Sequence, residues 1–455
     1  MQTKRDLPQP ALRLMPPIET MIPQEYYLRR LNKVIDLNFV HEAVRDKYCQ
    51  DNGRPSIDPE VVIRLFLLQA IEGIGSVREL MQRVQVDLSF RWFIGYEIDE
   101  SLPDHSTLSR ALDRFGDAVF NELFARSIAQ CQASGLVSGK VVHVDATTIR
   151  ADIDKNRVNR PDSSDGDARY GRFPDGSKQP GYKQQTVVDD ESRVVLAVEV
   201  MPANRGEGSD IGGIVDEASG HLDNPPEVLC ADSAYANGPN AQACVDRGIR
   251  LVSPPSPPLT HHTKDKFSIE QFTYDAERDV FICPAGKELV QAGRMTGRRG
   301  RYKYRARQSD CRVCPLKDRC TSGAMRCLNA GEHHAALVHL RADSQRADFK
   351  ALYRRRAPVI EGVFAEAKQW HGLRRAWRRG LAKMRIQCLL IATVLNFKRQ
   401  LTPYRLAGAL HLAFLFLITL LKRLIDALTG LWSIPGSHYL NKRASLTPSC
   451  SSRQN

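Results

Sequence analysis

Three groups of side chains in this sequence could do chemistry. The first lies in the stretch from Tyr353 to Lys368, YRRRAPVIEGVFAEAK. Glu361 and Lys368 are seven residues apart, which on a helix at about 100° per residue puts them within about 20° of one another. Val359, Val363 and Ala367 recur at four-residue steps and can pack inward. Pro358 suits a first turn, where its missing N–H costs nothing. A carboxylate and an ammonium thus share a face, just beyond Arg354, Arg355 and Arg356. An ordinary solvated ion pair fits the same stretch. The second group is a pair of carboxylates set on apolar strands. Asp145 lies in KVVHVDATTIRAD between Val144 and Ala146, and Asp232 ends the short run Val228 to Cys230 in PPEVLCADSAYAN. Such a carboxylate is costly to bury unless it is paired or holds a metal; the plainer role is a strand-end cap on a turn. The third group is Cys283, Cys311, Cys314 and Cys320, in FICPAGKEL and DCRVCPLKDRC. A Cys-x2-Cys-x5-Cys run with one cysteine upstream has the spacing of a structural Zn²⁺ loop. Free thiols are the other reading, and Cys327 is a spare candidate. His261–His262 and His333–His334 read as loop histidines.

Tyr353, Arg356, Glu361 and Lys368, with IEGVFAEAK around the glutamate, resemble the Tyr-Arg-Glu-Lys signature of bacterial insertion-sequence transposases of the DDE type. The resemblance implies that Asp145, Asp232 and Glu361 are catalytic and bind Mg²⁺ or Mn²⁺. It implies that Arg356 and Lys368 contact phosphate of transposon-end DNA, with Tyr353 as a positioning group. Arg374 and Arg375, in LRRAWRRG, would add backbone contacts beside the site. The activity implied is cleavage at the transposon end by water, followed by attack of the freed 3′-hydroxyl on target DNA, in a homodimer on DNA. Two other functions share these residues: a metal nuclease without strand transfer, and a DNA-binding relic whose core no longer turns over.

Two sets of elements must position these groups. From Tyr26 to about Leu136 the patterns are helical. IDPEVVIRLFLLQAIEGI opens with Asp58 as N-cap and Pro59 at the first turn. SVRELMQRVQVD restarts with Ser76 and Glu79 as a capping box. SLPDHSTLSRALDRFG offers Ser106 or Asp104 as a further cap, with His105 structural. Short helices on tight turns suit helix-turn-helix DNA binding, and equally a dimerisation bundle. The likeness to the N-terminal domain of the same transposases favours binding to terminal repeats. The next set begins with the Asp145 strand. A loop over 155–180 follows, then a hairpin from GYKQQTVVDD and SRVVLAVEV, a weak helix from Ile211 to Leu222, the Val228 strand, a helix from Asn237 to Arg247 and a fifth strand in GIRLVSPP. The fold class is α/β. That order matches an RNase H-like mixed sheet, in which the first and fourth strands lie adjacent and parallel and the Glu361 helix crosses their edge. Glu366 points elsewhere, Asp152 and Asp154 read as loop acids, and Asp189 and Asp210 lack an apolar strand setting.

The domains expected are an arm over 1–25, helices over 26–136, the catalytic domain over 137–400 with a Cys-rich insertion at about 256–345, and an apolar helix with a disordered tail over 401–455. The chain has 455 residues and a net charge of +13, which favours a polyanionic partner. Eleven cysteines and a start with no apolar signal core suit a reducing cytoplasm. The apolar run from Leu406 to Leu421 is shorter than the roughly 20 residues that span a bilayer. It reads as a packing or oligomerisation helix, with a membrane anchor the minority reading.

Overall fold

Asp58 starts the N-terminal helical layer by accepting the Glu60 N–H at 2.8 Å. Helix α1 (Pro59–Ile71) follows and is buried almost all round, as the central helix of a layer must be. Ser76 accepts the Glu79 N–H at the start of α2 (Val77–Val86), and Asp87 caps α3 (Leu88–Phe93). Of the two caps expected for α4 (His105–Phe115), Asp104 takes the role through the Ser106 N–H. Helix α5 (Ala118–Ala133) closes the layer, with Phe120 edge-on to Phe66 of α1. The computed structural model describes residues 16–49, 56–206, 208–255, 266–295 and 300–401. Most of the arm, His261–His262, the 406–421 run and the tail lie outside the described residues.

The main sheet is built from β1 (Val141–Arg150), β2 (Arg169–Arg172), β3 (Lys178–Asp189), β4 (Val195–Pro202), β5 (Val228–Cys230) and β6 (Arg250–Val252). Helix α6 (Gly212–Gly220) lies between β4 and β5, and α7 (Gly238–Asp246) between β5 and β6. β1 is antiparallel to β3 from Val142↔Asp189 to Arg150↔Gly181. On its other side β1 is parallel to β5, and β5 is parallel to β6. β2 and β4 share the far side of β3. β2 lies where the sequence suggests a loop: its Asp, Ser and Gly neighbours hide a strand whose pairing comes entirely from β3.

A second sheet runs β11-β10-β9-β8-β7, from β7 (Thr273–Asp275), β8 (Val280–Ile282), β9 (Glu288–Arg294), β10 (Arg301–Ala306) and β11 (Cys327–Gly331). Phe272, Phe281, Leu289, Tyr304 and Leu328 form its own small core. Helix α8 (His334–Asp343) leads back toward the main sheet. His334 opens that helix and is buried against the Tyr274 and Phe281 rings, so it is no loop histidine.

Helix α9 (Phe349–Trp370) corrects the placement of Pro358, which sits in its interior and not in its first turn. The helix starts earlier because Phe349 packs on Cys230 and Val252 at the ends of β5 and β6. Pro358 is exposed, so the hydrogen bond it removes faces water. The last helix, α10, spans 381–401 and is buried along its centre. Its Asn396 bonds both backbone groups of Val195 on β4 and the Ser127 hydroxyl on α5. Among the described residues no helix is long and apolar enough to cross a membrane.

Candidate active site

β1 runs beyond its partner. Val141, Val142 and His143 pair with Val228, Leu229 and Cys230; then β5 ends and the chain turns through Asp232. Seven residues beyond His143, about 23 Å at strand spacing, the segment 374–376 takes up the same edge. Arg150 N–H donates to Arg374 O at 3.1 Å and Ala376 N–H to Arg150 O at 2.8 Å. Asp145 sits in the gap between these two partners. Asp232 stands at its edge and caps the next turn through the Ala234 N–H at 2.9 Å. The two carboxylates are close enough for Asp232 to act on Asp145. Burial pushes the Asp145 carboxyl above its ordinary range, Arg356 and the Ala146 N–H pull it back, and Asp232 adds to the push.

Helix α9 roofs this gap. Val359, Val363 and Ala367 are buried as their spacing suggests. Arg356 Nη1 donates to Asp145 Oδ2 at 2.8 Å, with 10% and 17% of the two side chains exposed. The Arg356 guanidinium lies 5.9 Å from the centre of the Tyr353 ring, which stacks on Phe349. Tyr353 therefore orients Arg356. Glu361 is exposed and stands about 140° around the helix from Arg356. Lys368 shares its flank and is half-buried; burial and the nearby Arg374 lower its pKa. Among the described residues no three Asp, Glu, His or Cys side chains converge closely enough to hold a metal. The structure thus brings together Asp145, Asp232, Arg356 and Tyr353, and leaves Glu361 outside that group.

Sequence reasoning missed a second network behind the site. His143, on the same face of β1 as Asp145, is fully buried and donates from Nε2 to Asp190 Oδ1 at 2.8 Å. Burial outweighs Asp190 and keeps the imidazole pKa low. Asp190 also pairs with Arg355 of α9. Asp189 is buried at the end of β3, where it accepts from the Gly139 and Ser192 N–H groups; it has the apolar strand setting the sequence did not suggest. Only HVD on one strand and the doubled DD on its partner hinted at the network. The other acids are occupied: Glu366 pairs with Lys398 and Arg399, Asp152 with Arg375 and Arg379, and Asp210 caps Gly212.

Away from the gap, Cys283, Cys311, Cys314 and Cys320 line one cavity of about 20 Å³ under the second sheet. Cys327 is exposed on β11 and outside it. Arg301 and Arg305 project into solvent from β10, on the face opposite Tyr304 and Ala306.

Residues 16–114 match the model of a transposase domain (DUF772), and residues 282–401 match that of a transposase DDE domain. The first match covers the start of the helical layer through α4; the second runs from β8 to α10 and includes α9. No curated protein matches the chain. Among solved structures, a piggyBac transposase synaptic complex with hairpin DNA aligns over 83% of this chain and 76% of its own, at 10% identity and a TM-score of 0.35. A Mos1 transposase paired-end complex with the left transposon end aligns over 45% and 61%, at 12% identity and a TM-score of 0.16. Two separate stretches of the chain thus match transposase-domain models, one of them that of the DDE domain.

Proposed function

We propose that the chain is a DNA transposase that cuts at the ends of a bacterial insertion sequence and joins them to target DNA. One observation carries this reading. Asp145 and Asp232 stand side by side at the edge of two parallel strands, under a basic helix, in a chain with two transposase-domain matches. The order β4-β3-β1-β5-β6, with β1, β5 and β6 parallel, supports the reading of an RNase H-like sheet, of which the second sheet would be the Cys-rich insertion.

Asp145 and Asp232 offer oxygen donors of the kind hard divalent cations take, and Glu361 is the third ligand proposed. When bound there, Mg²⁺ or Mn²⁺ supplies activation of the attacking oxygen and stabilisation of the leaving one. Arg356 keeps the Asp145 carboxylate fixed in a dry setting. Lys368 lies near Arg374, and Arg374 and Arg375 belong to the segment beside the far end of β1; all three suit contacts to DNA phosphate. In the first step a water oxygen bonds to phosphorus at the element's end and the 3′-oxygen leaves as a hydroxyl. In the second, that hydroxyl attacks a target phosphodiester and the target's own 3′-oxygen leaves. One ester is exchanged for another, so no nucleotide cofactor is consumed. The terminal repeats fall to the N-terminal helices, and two ends joined at once call for a homodimer.

The test is cleavage of a duplex carrying the inverted repeats that flank the coding region. Asp145→Asn, Asp232→Asn and Glu361→Gln should each lose several kcal/mol of transition-state stabilisation, about a thousandfold or more in rate, while still binding the end. Near wild-type cleavage by Asp232→Asn in Mg²⁺ would remove that aspartate from the site. Cleavage without joined products would make the protein a nuclease, and neither product a relic.

A further inference from the structure

We infer that the cavity under the second sheet is a structural zinc site with Cys283, Cys311, Cys314 and Cys320 as its ligands. The four cysteines come from the turn at Cys283, the helix Gln308–Arg312 and the turn after it, and the helix Lys317–Cys320, yet they line the same small space. All are free thiols, so no disulfide competes for them. At about 20 Å³ the cavity has room for a single ion and none for an organic ligand. A four-sulfur donor set selects zinc or iron, and the small cavity suits a single ion rather than a cluster.

The local backbone supports thiolate ligation. Cys283 begins a tight turn in which Cys283 N–H donates to Lys287 O at 2.8 Å, closed by Gly286 at φ +73°. The Lys287 N–H donates to the Cys283 sulfur at 3.3 Å, the contact that steadies negative charge on sulfur. Cys311 and Cys314 flank a second turn, with Cys314 N–H to Cys311 O at 3.4 Å. Lys287, Lys317 and Arg326 line the same cavity against one acid, Asp310. Four thiolates on one Zn²⁺ carry a net charge of about −2, which these cations offset. No three of the donors are yet within reach of one point, so binding must draw the turns inward. Cys320 ends a helix of only four residues, Lys317–Cys320, and Cys314 lies just before it, with the Lys317 N–H donating to Cys314 O at 3.1 Å. With all four positions filled by protein, the site is structural and leaves no place for substrate.

The measurement is the metal content of the full-length protein, purified without chelator. About one zinc per chain is expected, falling below about a tenth in the double variant Cys311→Ser, Cys314→Ser and unchanged in Cys327→Ser. Cobalt added to metal-depleted protein should give the sulfur-to-metal charge-transfer band of a tetrahedral thiolate site. Should the double variant fail to fold, thiol modification of the wild-type chain decides: one zinc should be released as the four thiols react. Wild-type protein with less than about a tenth of an equivalent and no cobalt band would overturn the assignment. So would full zinc in the folded double variant. Asp145→Asn and Asp232→Asn should keep their zinc, which separates this inference from the fate of the cleavage site.

Discussion

Asp145 stands on β1 and Asp232 just past the end of β5, both packed into the main core, whereas the four cysteines stand on turns and one-turn helices around a small, separate cluster. At the first site the backbone is fixed before any ligand arrives: β1 is held by β3 along its length and by β5 and 374–376 at its two ends. The charge that remains is met within the chain by Arg356. At the second site little apolar surface is available, and no cation is bonded to the sulfurs as Arg356 is to Asp145. A carboxylate site can thus be shaped by the fold alone. A thiol site on short turns needs its metal to be shaped at all.

The sharpest way to break this contrast is to exchange losses. Asp232→Asn should cut cleavage by about a thousandfold or more with an unchanged melting temperature. Chelation should instead lower the melting temperature and leave the zinc-free carboxylate gap folded. A chelated protein that melts as the untreated one does would equate the two sites.

Next in size is the ion pair. Arg356→Ala strands the Asp145 carboxylate in a setting only 17% exposed, at a cost of about 3–5 kcal/mol. Adding Asp145→Ala should recover much of that loss in a double-mutant cycle. Strict additivity of the two in denaturant titrations would mean that the pair does not hold the site together.

The third prediction concerns pH. His371 donates from Nδ1 to Ala70 O at 2.9 Å and faces Lys398 Nζ from Nε2 at 3.1 Å. Burial, with Lys398 beside it, pushes its pKa down to about 4. An unfolded histidine takes up its proton near pH 6.5; this one resists until about 4. Stability from this group is therefore full above about pH 6.5 and is lost as pH falls toward 4, by roughly 3 kcal/mol at most. His334, also held at about 4 by burial, acts in parallel. His143 and His221 are lowered in the same direction, so His371→Gln should remove a part, not the whole, of the slope of melting temperature between pH 7 and 5; an unaltered slope would place the effect elsewhere.

Gly73→Ala should cost about 1–3 kcal/mol. Gly73 has φ +63°, and a Cβ there would lie 2.7 Å from Trp370 O. Gly95, at φ +74° with nothing near, is the control: Gly95→Ala should cost about 1 kcal/mol or less. Equal costs would show that the contact with α9 is immaterial. The smallest effect is on DNA. Arg374→Ala should flatten the slope of log K against log salt by about 0.9 on duplex ends, whereas a cation outside the interface would leave it alone.

Several caps and the Val228 strand were legible because their signals are local. Asp58, Ser76 and the Val228 strand need only their neighbours in sequence. Helical spacing likewise gave the inward face of α9. It could not say which flank meets β1, and it is Arg356 that bonds Asp145. Pro358 misled because a first-turn preference is a local rule, and Phe349 anchors the helix nine residues earlier through Cys230 and Val252, 119 and 97 positions away. His143, Asp189 and Asp190 were illegible for the same reason: an Asp in a polar DD pair looks solvated until β1 closes over it.

The contact of Gly73 with Trp370 and Gly372 also bears on modularity. Separate domain models match residues 16–114 and 282–401, which invites exchange of the N-terminal part between relatives to redirect end recognition. The two parts nevertheless meet backbone to backbone, at a joint with no space for side chains and a histidine bridging it. A recombinant chain that imports foreign helices without both glycines and the Ala70 carbonyl would misalign the end of α9. Successful grafts should therefore be cut outside this joint, carrying it over whole from a single parent.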